Sequence, residues 1–176
     1  MNSVLIVSAS PRAASRMEDW LGPGCEATVA ASEAEARALL GGKRFDALIV
    51  NAPLSDGSGE ALCLRADVAA LLLVPQAGYE AVRARMEARG VLTLPKPVAP
   101  ALFQQAVSLL FATHAKLSRL QGKLEEVRIV ERAKRAMMQY LKMNEAEAHR
   151  YIEKQAMDLR QTKREVAEAI IKTYEN

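Results

Sequence analysis

Asn51 occupies the position at which a parallel sheet usually presents its chemistry. In "FDALIVNAPLSDGSG", residues 45–59, an apolar run from Ala47 to Val50 ends in one polar residue and then a Gly-rich turn. A run bounded in this way predicts a buried strand that delivers one side chain to the rim of a sheet. In open α/β sheets that rim, beyond the carboxyl ends of the strands, is where sites are built. A carboxylate there could take a phosphoryl group or hold a hard metal ion. A carboxamide carries no charge and is a far weaker nucleophile. The placement invites an acidic site, and the residue type withholds it.

A second group of candidates is basic. Residues 1–100 carry ten Lys and Arg against eleven Asp and Glu, whereas residues 101–176 carry fourteen against ten. The C-terminal part is therefore the candidate for a polyanionic partner. Its basic residues outside the apolar stripes are Lys134, Arg135, Arg150, Lys154, Arg160, Lys163 and Arg164. Cys25 and Cys63 lack metal-like or redox spacing and read as inert thiols in a reducing compartment. No nucleophile–base pair, metal cluster or phosphate-cradling Gly loop is evident, so a non-enzymatic protein without cofactor or metal is expected. The start "MNSVLIVSAS" has no basic region and too short an apolar stretch for a signal peptide. No apolar run approaches the roughly 20 residues of a membrane span. A soluble cytoplasmic protein without membrane contact is the expectation.

The elements that must position these residues alternate. Over the first hundred residues the order is strand (4–9), helix (Pro11 to Leu21), strand ("EATVAA"), helix ("SEAEARALLGG"), strand ("DALIV"), helix (58–66), strand (70–74), helix ("GYEAVRARMEARG") and strand ("VLTLPKP"). Ser32 is the expected N-cap of the second helix, with Glu35 closing a capping box and Gly41-Gly42 terminating it. Parallel neighbours need crossover helices, so this order predicts a doubly wound, flavodoxin-like α/β sheet. From Val98 onward one long helix is expected, with Gly122 as its weak spot. Phe103, Ala106, Leu110, Thr113, Leu117, Leu120, Leu124 and Val127 alternate in spacings of three and four, a heptad seam. Phe103 to Leu110 also suit packing on the sheet; beyond Thr113 the seam needs another partner, and a second copy is the economical one. The candidate dimer seam is Leu110, Leu117, Leu120, Leu124 and Val127. Lys116 and Lys123 at g, with Gln121 and Arg128 at e, leave the strand orientation unspecified by charge. Two further helices follow, with Asn144 and Glu147, then Thr162 and Glu165, as capping pairs. Ala148, Ile152, Ala156 and Leu159 form the core stripe of the first; Val166, Ala167, Ile170 and Tyr174 form that of the second.

Residues 1–112 resemble a two-component receiver domain. That family carries an acidic pair after the first strand, a phospho-accepting Asp after the third, a Ser or Thr after the fourth, and a Lys before Pro after the fifth. The resemblance places Ser8-Ala9 at the acidic pair, Asn51 at the acceptor, Pro75 at the hydroxyl position and Lys96 at the lysine. It thus implies a pseudo-receiver, with the fold kept and the phosphorylation pocket degenerate. The C-terminal pieces "ERAK", "NEAEA" followed by "RYIEKQAM", and "REVAEAI" closely resemble the ANTAR domain of antitermination regulators. The arrangement implied is a pseudo-receiver (1–112), a coiled-coil linker helix (113–127) and an all-α, three-helix ANTAR module (123–176).

Members of that family bind paired stem-loops with hexanucleotide loops in leader RNA and prevent a terminator from forming. RNA sequence is read mainly in loops, by stacking and base-edge hydrogen bonds, while Lys and Arg hold phosphates. Tyr151, His149 and Gln155 are the expected base readers, although His149 replaces a usual aromatic. Lys134, Lys154, Arg160 and Arg164 are the expected phosphate contacts, and Arg135 is a further expected RNA-binding residue. The expected partners are a stem-loop leader transcript, a second copy of the chain, and a sensor or regulatory protein on the pseudo-receiver. The competing readings are a DNA-binding regulator using the same helices and an adaptor that binds no nucleic acid.

Overall fold

The computed structural model describes residues 2–175. Five parallel strands, β1 (Asn2–Ser8), β2 (Cys25–Ala30), β3 (Ala47–Asn51), β4 (Ala69–Pro75) and β5 (Leu92–Lys96), form one sheet in the order β2-β1-β3-β4-β5. The helices α1 (Pro11–Leu21), α2 (Glu33–Gly42), α3 (Glu60–Arg65) and α4 (Tyr79–Glu87) make the crossovers. Alternate residues of each strand point to opposite faces, and both faces are covered. Leu5, Val7, Leu48, Val50, Leu72 and Val74 pack beneath α2, α3 and α4, with Ala36, Leu62 and Met86. Val4, Ile6, Ile49, Leu71 and Leu73 pack against Ala14 and Met17 of α1 and against Phe103 and Val107. Burial on both sides is why the strands are apolar runs rather than alternating ones. The doubly wound sheet expected from the sequence is the one observed.

Local signals were mostly obeyed. The Ser32 hydroxyl accepts from the Glu35 N–H at 3.2 Å, but the Glu35 carboxylate accepts from the Ala31 N–H at 2.7 Å, one residue before the cap. Helix α2 ends at Gly42, where the sequence placed its stop. Gly41 and Gly42 form its last turn, and the Lys43 N–H still donates to the Leu39 carbonyl at 2.9 Å. Burial pushes the Cys63 thiol up to about 12, so it stays protonated in the core.

Helix α5 (Pro100–Leu141) runs unbroken through Gly122. One glycine costs about 1 kcal/mol relative to alanine, too little to break a helix otherwise rich in good formers. The chain divides into two compact units between Lys116 and Leu117, inside this helix. Leu110 belongs wholly to the first unit. It is 5% exposed and packs with Phe103, Ala106 and Val107, so it is a core residue and not part of a free seam. Leu117 and Leu124, by contrast, are 56% and 63% exposed, and Leu120 and Val127 are likewise exposed.

In the second unit the end of α5 joins α6 (Glu145–Leu159) and α7 (Lys163–Tyr174). Both expected capping boxes form, reciprocally, at Asn144 with Glu147 and at Thr162 with Glu165. Ala133, Met137, Ala148, Ile152, Ala156, Val166, Ala167 and Ile170 make the core. Leu159 is not among them. As the last residue of α6 it is 57% exposed, past the end of the packed stripe. Tyr174 stacks on Tyr140 with ring centroids 5.9 Å apart. No helix among the described residues is long and apolar enough to cross a membrane.

Candidate functional site

The parallel register aligns Ser8 with Asn51 across β1 and β3, and Pro75 with Lys96 across β4 and β5. All four residues therefore reach the carboxyl rim of the sheet, and β1 and β3 flank its topological switch point. There the Asn51 amide nitrogen donates to the Ser8 hydroxyl at 3.0 Å, and that hydroxyl also accepts from the Ser10 N–H at 3.2 Å. On its other side the Asn51 carbonyl accepts from the Lys96 ammonium at 3.0 Å, which also donates to the Ala52 carbonyl. The network is complete without a carboxylate. Burial lowers the Lys96 ammonium from the ordinary lysine value, and no acid offsets it. Ala9 is exposed and offers only a methyl group, and exposed Pro75 has no hydroxyl.

The nearby acids are used elsewhere. Glu33, buried at the start of α2, accepts from the Gly59 N–H at 2.8 Å and pairs with Arg37 at 2.6 Å. Asp56 accepts from the Glu33 and Ala34 N–H groups, and these backbone hydrogen bonds hold its carboxyl below the usual range. Together they tie the β3–α3 loop to α2. That explains the glycines of "SDGSG": a Cβ at Gly57 would stand 2.1 Å from the Glu33 carboxylate, and Gly59 has φ +79°. This tether escaped the sequence reading, because its partners lie more than twenty residues apart.

On α6 the residues Tyr151, Lys154 and Gln155 share one flank. Tyr151 is 41% exposed, and Gln155 lies one turn further on. His149 is not brought to them. At about 100° per residue, two positions separate it from Tyr151 by about 200° around the helix. Its Nε2 lies 3.3 Å from Glu153, which also pairs with Lys163 of α7 at 2.6 Å. Lys134 does not stand outside the core either. It is 6% exposed and held by Glu131 at 2.7 Å and Glu145 at 2.9 Å. The start of α6 brings Glu145 over it, and those two hydrogen bonds raise its ammonium above the ordinary lysine value.

The ANTAR domain model matches residues 118–171. The C-terminal unit is an ANTAR domain. The first unit has the receiver fold. It is similar to a CheY-like receiver domain from Methanospirillum hungatei (20% identity, TM-score 0.60, covering 66% of this chain and 98% of that one). A response regulator from Chloroflexus aurantiacus gives 28% identity and a TM-score of 0.57 over 63% of this chain and 98% of the other. A protein from Rhodopirellula baltica described as an adenylate cyclase gives 18%, 0.65, 70% and 97%, a likeness of fold alone. No curated protein matches the chain.

Around the ANTAR domain the expected RNA-binding cations divide into two groups. Among the described residues Arg135, Lys154 and Arg160 are exposed and make no ion pair, as does Arg150. Arg164 is paired with Glu168 at 2.7 Å and Lys134 is enclosed. Arg160 sits at the α6 C-cap in the left-handed conformation, φ 53°, with its N–H donating to the Ala156 and Met157 carbonyls.

Proposed function

We propose that the protein is a cytoplasmic, non-enzymatic RNA-binding transcription antiterminator. It acts as a dimer that binds tandem hexaloop hairpins in a leader transcript and prevents a terminator from forming. The observation that carries this reading is the ANTAR domain at 118–171, whose Arg135, Lys154, Arg160 and Tyr151 are all exposed, the three cations without an ion pair among the described residues. Free cations can hold phosphates, and an exposed ring one turn from Gln155 can stack on a splayed base while the amide reads its edge. The exposed Leu117, Leu120, Leu124 and Val127 support a dimer, since such a stripe is otherwise an unburied apolar cost. The receiver-fold unit serves as a docking and dimerisation module for a sensor or regulatory protein, without phosphorylation, because its rim network contains no carboxylate. Gel shifts with hairpin RNA and duplex DNA of matched length test the reading. Retention of the RNA alone is expected; equal or stronger retention of the duplex would refute it.

A further inference from the structure

A cleft of about 460 Å³ opens beside the rim network, within the receiver-fold unit. That volume falls in the range of small-molecule sites. Met17, Trp20, Leu73, Pro97 and Val98 give it apolar walls. Asn51, Gln76, Arg16 and Lys96 supply its polar groups, two of them cations, and no acidic residue lines it.

Neither cation has a counter-ion among the described residues. The Lys96 ammonium uses two of its three N–H donors on neutral oxygens, those of Asn51 and Ala52. Burial already disfavours its charge, so an anion would improve its surroundings. The Arg16 guanidinium rests 5.0 Å above the Trp20 ring and makes no ion pair. Trp20 is half-buried, meeting Phe103 edge-on at 5.4 Å. An acid at position 51 would have neutralised Lys96; with Asn51 there the cleft keeps an unbalanced positive charge against an apolar wall.

We infer that this cleft binds a small organic acid, its carboxylate held by Lys96 and Arg16 and its apolar body laid against Trp20 and Met17. An inorganic anion fits less well, because it would satisfy the cations and leave the apolar walls wet. A neutral ligand fits less well because it leaves both charges uncompensated. Such a ligand would give the receiver-fold unit a chemical input that does not need a phosphoryl group. The inference stands apart from the RNA reading, and its test uses no RNA.

Trp20 is the single tryptophan of the chain and so reports on the cleft directly. The full-length protein is titrated with 4-phenylbutyrate and with octanoate, followed by Trp20 fluorescence and by calorimetry. Parallel titrations use 4-phenylbutanamide and inorganic phosphate. Saturable binding of at least one carboxylate is expected, with the amide and phosphate at least about tenfold weaker, since a charge-assisted contact is lost in one and the apolar contact in the other. Arg16→Gln and Lys96→Met should each weaken the carboxylate at least about fivefold by the same reasoning. Arg16 is exposed, so its variant keeps the test valid should Lys96→Met fail to fold. Absence of saturable binding by both carboxylates, equal affinity for amide and acid, equal affinity for phosphate, or unchanged affinity in a folded Arg16→Gln protein would each overturn the inference.

Discussion

Asn51 and Lys134 carry the clearest lessons at the scale of single residues. Asn51 satisfies Ser8 with its amide nitrogen and Lys96 with its carbonyl, and it supplies no carboxylate from which an acyl phosphate could form. Incubation with acetyl phosphate and Mg²⁺ should therefore add no phosphoryl group by intact-mass spectrometry. Asn51→Asp alone should not restore it, because Ser8 and Ala9 give the metal no anionic oxygen; a mass gain of one phosphoryl group in either protein would refute this. Asn51 was legible in the sequence because an apolar run and a Gly-rich turn bracket it. Lys134 was not, since it borders the α5 stripe and its enclosure needs Glu145, brought in by the next helix, as well as Glu131 of its own. Lys134→Ala should lower the melting temperature by a few degrees, roughly 1 kcal/mol of lost packing and pairing, with the salt slope of RNA binding unchanged. Lys154→Ala or Arg160→Ala should instead leave stability alone and reduce that slope by roughly one unit. Tyr151→Ala should cost roughly 1–3 kcal/mol of affinity for the proper loop and less for a scrambled one, measured on the same protein as its melting temperature.

Among the elements, the capping pairs were readable because they depend on residues three apart, and both boxes of α6 and α7 form as the spacing implies. Several acids of the ANTAR domain are held below the ordinary glutamate value. The Glu165 carboxyl is lowered chiefly by the Thr162 N–H, Glu145 by hydrogen bonding to Lys134, and Glu153 by hydrogen bonding to Lys163. A lowered folded value means that the stabilisation is full above the unfolded value, about 4.3, and is lost as pH falls through the folded ones. Thermal melts should thus show the ANTAR domain weakening below that pH, and Glu165→Gln should flatten the decline; an unchanged slope would contradict the assignment. The exposed part of α5 makes a separate prediction. Replacing Leu117 and Leu124 by Gln should yield a monomer by light scattering, since burying each leucine contributes about 1.5–3 kcal/mol. Persistence of a dimer would place the subunit contact elsewhere.

For the molecule as a whole, the alternation of strands and helices was enough to read the sheet, because parallel neighbours require crossovers. The rim was readable too, through the ends of the apolar runs. The cleft beside it was not, for it draws Arg16 and Trp20 from α1, Leu73 from β4, and Lys96 and Val98 from the end of β5 and the segment after it. No spacing in the sequence announces such a set. The charge asymmetry singled out the half that carries the ANTAR match, but only the folded domain separates free Arg135, Lys154 and Arg160 from paired Arg164. The most direct test of the function is the affinity of the full-length protein for a tandem-hairpin leader RNA, set against the same stems with scrambled loops. Two protein chains per tandem RNA, with scrambling costing at least about tenfold in affinity, is the predicted result. Equal affinity for both RNAs, or no binding to either at moderate salt, would contradict it.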